Sequence, residues 1–197
     1  MPLVLLVFCG TPPGAAANEV APQSSSCTLE PGATHTVARI LDGDTVLLDD
    51  GSEVRLIGAL APHAADAGAA RDAWPPEAYA IRTLTELVLG RPVKLTYGGL
   101  RTDRYGRHLA HLFLIQGGSE TWVQGQLLAA GAARAYGLPG SFACGQELIA
   151  HERLAREADC GLCATAIYRA KPALLTGLLM SRRSRFEIVK GTVSSVT

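Results

Sequence analysis

Five short stretches carry the residues able to do chemistry in this 197-residue chain. Asp42-Gly43-Asp44-Thr45 puts two carboxylates in one turn. Val54-Arg55-Leu56-Ile57-Gly58 sets an arginine in an apolar run, and Ala61-Pro62 is followed by His63. Asp103-Arg104-Tyr105-Gly106-Arg107 packs an acid, a tyrosine and two arginines together, and Leu109-Ala110-His111-Leu112 comes next. Carboxylates can hold a hard cation or take a proton. A guanidinium fork matches two phosphate oxygens and stays charged. An imidazole, with a pKa of about 6.5, can act as a base at neutral pH and suits zinc or copper better than calcium.

Plainer readings stand beside these. An Asp-Gly-Asp is a common hairpin turn. Arg55 can pair with Glu53 or Asp44, and His63 can be a surface loop residue. Arg101, Arg104, Arg107 and His108 crowd one segment, and Arg182, Arg183 and Arg185 another. Such clusters are often a solvated surface.

The elements that must position these residues can be read along the chain. Thr36 to Leu41 reads as a strand. Thr45 to Leu48 and Glu53 to Gly58 follow it across Asp-Gly turns, an antiparallel meander. Ala59 to Trp74 is a loop holding Asp66 and Asp72. Pro75-Pro76 opens a helix whose buried face is Ala80, Ile81, Leu84, Leu87 and Val88, and Gly90 ends it. Val93 to Tyr97 and Leu109 to Ile115 are strands four and five. Thr121 to Ala133 reads as a second helix. Gly145 to Ala158 reads as a third, with an apolar stripe at Leu148, Leu154, Ala155 and Ala158. Phe186 to Val193 reads as a further strand in need of a partner. It either adds to the barrel edge or belongs to a longer chain. No internal repeat is visible.

Taken in this order, the five stretches resemble the thermonuclease, or staphylococcal-nuclease-like, family of phosphodiesterases. The resemblance covers about residues 34 to 168. It implies an α+β fold, a five-stranded OB-type β-barrel with three helices. It implies an exported phosphodiesterase cutting DNA or RNA on the 5′ side of the phosphodiester. The alternative is a degenerate module that binds nucleic acid or protein without hydrolysis. Arg55 and Arg107 match the family's two phosphate-binding catalytic arginines. Asp44, supported by Asp42, matches a calcium ligand. Tyr105 and Tyr136 match tyrosines of the nucleotide pocket, where aromatic faces stack on bases, and Arg104 can reach a flanking phosphate. Single-stranded DNA or RNA is the implied partner.

Two positions depart from the family pattern. Leu60 stands where the family has a second carboxylate ligand, and His63 where it has the glutamate that handles the attacking water. Calcium wants six to eight oxygens, so its binding is expected to be weak. The Ala61 carbonyl can still serve, and Asp66 can approach from the loop. His63 is the candidate replacement base.

Composition bounds the rest. Hydrophobic residues make up 48% and charged residues 18%, which argues for a globular chain. Net charge is zero, so the overall basic balance of many nucleic-acid binders is absent. Leu3 to Phe8 followed by Ala15 to Ala17 reads as a signal peptide over residues 1–17 and points to a periplasmic or secreted protein. The run is too short to span a membrane. A linker at 18–33, a domain at 34–170 and an extension at 171–197 complete the organisation. Cys27, Cys144, Cys160 and Cys163 remain after cleavage and suggest two disulfides. Helix ends about 20 Å apart keep Cys144 from Cys160 and Cys163, since a disulfide needs Cα atoms within about 7 Å. The expected pairs are Cys27–Cys144 and Cys160–Cys163.

Overall fold

A computed structural model describes residues 27–64, 75–137, 143–166, 168–181 and 189–192. The expected leader, Asp66, Asp72, Trp74 and the arginines at 182, 183 and 185 lie outside the described residues.

The first three strands form the expected meander. β1 is Glu30–Ile40, β2 Thr45–Leu48 and β3 Glu53–Leu56. β1 starts six residues before the expected Thr36, because its first half pairs with β5, Pro92–Tyr97, from Glu30↔Tyr97 to Thr36↔Pro92. Its second half pairs with β2. β6, His108–Gln116, runs antiparallel to β5. It then closes the barrel against β3 in parallel, with Arg55 opposite Leu109. The closed order is β3-β2-β1-β5-β6. Five strands and three main helices make the expected OB-type barrel.

A short second sheet sits on this barrel. β4, Gly58–Leu60, pairs with β8, Arg134–Tyr136, so Gly58 faces Tyr136 and Leu60 faces Arg134. Gly58 makes the break between β3 and β4 with φ of 83°. A Cβ there would come 2.4 Å from the Leu148 side chain.

The helices close the barrel's ends. α1, Pro75–Val88, buries Ala80, Leu84 and Val88 completely, a repeat of four that holds one stripe inward. Gly90 ends it at φ of 69°. The expected second helix is shorter than its sequence suggests. Ser119–Trp122 is a strand, β7, paired with β6, and α2 covers only Val123–Ala129. Alternation against β6 outweighs helix periodicity there. α3, Gly145–Glu157, keeps Leu148 and Ala155 on its buried face, but Glu152 takes the place expected of Leu154, which is 54% exposed. The Glu152 carboxylate accepts the Ala135 N–H at 2.9 Å and pairs with Arg156, so its burial is compensated.

Cysteine pairing is half as expected. Cys27 and Cys144 are bonded, with Cα atoms 4.7 Å apart, tying the chain ahead of β1 to the start of α3. Cys160 and Cys163 are not bonded to each other, because Cys163 is free while Cys160 is in a disulfide. Cys160 Sγ approaches the Ala130 carbonyl, whereas Cys163 lines a pocket with Glu152 and Arg134. At the C-terminal end, β10, Val189–Lys190, pairs in parallel with β9, Lys171–Pro172, and not with the barrel edge.

Candidate functional site

Arg55 leaves the outer face of β3, between the buried Val54 and Leu56. Among the described residues its guanidinium makes no ion pair with Glu53 or any other acid within 4 Å. It stands where the chain crosses from β3 towards Leu60.

Arg107 is delivered by a self-organised turn. The Asp103 carboxylate accepts the backbone N–H of Tyr105 at 2.8 Å and of Arg107 at 3.1 Å. The same carboxylate accepts Arg107 Nε at 2.8 Å and its terminal nitrogen at 2.7 Å. Gly106 takes φ of 82°, which only glycine adopts cheaply. Burial pushes the Asp103 carboxyl up, but Arg107 and these backbone donors outweigh it and hold the carboxyl below its ordinary range. Tyr105 is 68% exposed, with the Arg104 and Arg107 guanidiniums 4.7 and 5.5 Å from its ring centre.

These residues share one cleft of about 420 Å³. Arg55, Asp103, Arg104, Tyr105 and Arg107 line it together with Leu60, Leu109 and Tyr136. Tyr136 reaches it only because β8 pairs with β4. The cleft therefore offers three guanidiniums, two aromatic rings and an apolar floor. Phosphate oxygens fit the first and base faces the second.

Asp103 is the acid of the cleft, and the expected metal-site residues Asp42 and Asp44 are not among its lining. Asp44 is 1% exposed and is not among the residues lining the cleft. Its Oδ1 accepts the Thr45 hydroxyl at 3.2 Å, and its Oδ2 accepts the Ala61 N–H at 3.0 Å. His63 Nε2 lies 3.7 Å from the same Oδ2, a charge contact too long for a strong hydrogen bond. Burial pushes the Asp44 carboxyl up, but His63, the Ala61 N–H and the Arg55 charge outweigh it and hold it low. Asp42 accepts the Asp44 N–H at 2.8 Å, and burial, with Asp44 beside it, pushes its carboxyl up. Gly43 is needed between them, since a Cβ would meet Ala61 and Ala80 at under 3 Å. His63 also fails to line the cleft. Its Nδ1 lies 3.9 Å from Glu77 Oε1 in the first turn of α1.

Calcium fits this donor set poorly. Both Asp44 oxygens share their lone pairs with protein donors, Asp42 Oδ1 accepts the Asp44 N–H, the Leu60 side chain offers no oxygen, and His63 offers nitrogen. Among the described residues, the one group of three potential ligand side chains close enough to share an ion is His35, Asp49 and Asp50, around the β2–β3 turn.

Two buried polar residues lie near the site, Gln124, which carries no signal in the sequence, and His111, which belongs to one of the five stretches. Gln124 accepts the Leu112 N–H and donates to the Ile57 and Ala110 carbonyls, stapling the end of β3 to β6. His111 is 1% exposed, and neither ring nitrogen has a hydrogen-bond partner among the described residues. Burial lowers its pKa to about 4. Trp122 packs between Phe113, His111 and His151 and does not line the cleft.

No helix among the described residues is long and apolar enough to cross a membrane. No curated protein matches the chain. The sequence model described as Staphylococcal nuclease homologue matches residues 53–165, from β3 through the 3₁₀ turn Gly161–Ala164. The match holds Arg55, Arg107, Tyr105 and Tyr136 and begins after Asp44. Nuclease function, nucleic-acid binding and calcium use are general properties of that family. It spans more than half of the sequence, and the barrel with its three helices has the family's architecture, so the chain belongs to the staphylococcal nuclease homologues.

Proposed function

We propose that this protein binds single-stranded DNA or RNA in the Arg55–Arg107 cleft and holds it without metal-assisted hydrolysis. One observation carries the reading. Arginines and tyrosines line a common cleft, whereas Asp44 and His63, 3.7 Å apart, are not among its lining residues. Binding needs the first group alone. Hydrolysis also needs a group that aims and deprotonates water at the phosphorus. Anisotropy of a labelled single-stranded oligonucleotide tests the reading. Saturable binding with no shortening of the strand over hours supports it. Absence of binding at low salt refutes it.

Hydrolysis with His63 as the base is the second reading. It is favoured by the Asp44–His63 contact, since a carboxylate can orient an imidazole. Incubation with labelled single-stranded DNA, in EDTA and with calcium, manganese or zinc, separates the two. Cleavage that disappears in His63→Ala establishes the second.

Export to the periplasm or beyond is part of the same proposal. The Cys27–Cys144 disulfide and the apolar stretch Leu3 to Phe8 support it. Cell fractionation with sequencing of the mature N-terminus tests it.

A further inference from the structure

We propose that His63 is a built-in counter-group for Asp44, bridging it to Glu77, and that it makes the site independent of divalent metal. The inference rests on the nucleic-acid reading only for its consequence in binding.

A carboxylate as buried as Asp44 must be compensated. In a metal-dependent site the ion supplies most of that compensation. Here protein groups supply it. The Ala61 N–H and Thr45 hydroxyl point at the two Asp44 oxygens. Arg55 adds charge from the neighbouring strand. His63 completes the arrangement, with Nε2 3.7 Å from Asp44 and Nδ1 3.9 Å from Glu77. One imidazole thus lies between a carboxylate of the barrel and a carboxylate of α1. A metal ion at Asp44 would compete with the Ala61 and Thr45 donors and with the ring for the carboxylate's lone pairs, and would find no side-chain oxygen on Leu60. The bridge also ties α1 to the β1–β2 turn, which Gly43 already holds against Ala80. Losing His63 should therefore loosen that junction and leave Asp44 under-compensated.

The two departures at residues 60 and 63 are then one change. An apolar side chain closes the side of the site facing the cleft, and an imidazole fills the side facing α1. The nucleic-acid cleft keeps its arginines and works without an ion.

Thermal unfolding of the full chain tests this. The midpoint should move by less than about 1 °C between EDTA and millimolar calcium or manganese. A site holding an ion hundredfold above its Kd would raise it by about 5–10 °C. His63→Ala should lower the midpoint in EDTA, and the drop should shrink at least by half in the Asp44→Asn background, as expected for coupled residues. A Leu60→Asp/His63→Glu double variant should acquire a calcium-dependent rise that the parent lacks. If that variant fails to fold, the parent's titration and the Asp44/His63 cycle still decide. A calcium-dependent rise in the parent, or an equal His63→Ala drop in both backgrounds, overturns the proposal. Oligonucleotide binding that appears only with calcium also overturns it. Absence of oligonucleotide binding in every condition refutes the binding reading instead, and the thermal data still judge the bridge.

Discussion

Asp103 grips Arg107 with one carboxylate oxygen, Oδ2, at 2.8 Å from Nε and 2.7 Å from a terminal nitrogen. Its other oxygen holds the backbone N–H groups of Tyr105 and Arg107. The acid thus fixes both the loop and the side chain it presents. Asp103→Ala removes a negative charge from the cleft, so electrostatics alone would tighten binding of a polyanion. Loss of positioning acts in the opposite sense and should win. The expected result is about 3–10-fold weaker binding of a single-stranded oligonucleotide, since an ordered charged hydrogen bond contributes about 1.5–3 kcal/mol, part of which solvent recovers. Tighter binding would show that Asp103 merely masks Arg107.

Arg55→Ala and Arg107→Ala should each weaken binding across all sequences. Removing one arginine–phosphate pair should flatten the plot of log K against log salt by about 0.7 for a single strand. Binding titrations at several salt concentrations measure this slope. An unchanged slope in both variants would place the nucleic acid elsewhere on the protein.

His111 makes stability pH-dependent. Its folded pKa, about 4, lies below the ordinary value of 6.5, because its buried ring has no partner for a charge among the described residues. The unfolded chain therefore binds the proton first as pH falls. The neutral ring's full contribution is present above about pH 6.5 and is lost progressively down to about pH 4. The loss amounts to about 3 kcal/mol. Urea unfolding at pH 7 and pH 4.5 should show most of this difference, and His111→Phe should reduce it.

Gln124 satisfies three backbone groups where β3 ends beside β6. Gln124→Leu keeps the volume and removes the side-chain partner of the Leu112 N–H and the Ile57 carbonyl, while the Ala110 carbonyl keeps the Ile57 N–H. The expected cost is about 2–4 kcal/mol in chemical denaturation. A loss under about 0.5 kcal/mol, typical of a surface change, would show that the staple is dispensable.

The Cys27–Cys144 bridge closes a loop with a sequence separation of 117. Replacing both cysteines by serine should lower stability by about 2–5 kcal/mol. Alkylation in denaturant without reductant should label Cys163 and spare Cys144. Labelling at Cys144 would show that the bridge does not form.

The strands and the turns between them were legible because their signals are local. Asp-Gly and Asp-Arg-Tyr-Gly-Arg specify turns through nearby side-chain and backbone hydrogen bonds, and Ala80, Leu84 and Val88 specify one helix face. The arginines and tyrosines of the cleft could be named because they sit in or beside such local motifs. Thr121 and Trp122, the second half of β7, read as helix in the sequence, since only pairing with β6 makes them extended. Leu154 and Glu152 were exchanged on α3 for a similar reason. The Ala135 N–H, on a different element, gives the buried acid its partner.

By itself, then, the sequence determined the strands, the turns and most of the helix faces, because turn chemistry and hydrophobic period act within a few residues, while the closed barrel and the roles of the cleft residues followed from the resemblance to the nuclease family. The tertiary structure alone decided which way the acids face. Asp44 turns to Ala61 and His63 because the chain after β4 returns across the β1–β2 turn, a contact 17 residues apart in sequence. Tyr136 enters the cleft only through the pairing of β8 with β4. Cys163 stays free because Cys160 is committed to another disulfide. Side-chain direction at such points depends on register between distant segments, and no periodicity within either segment encodes it.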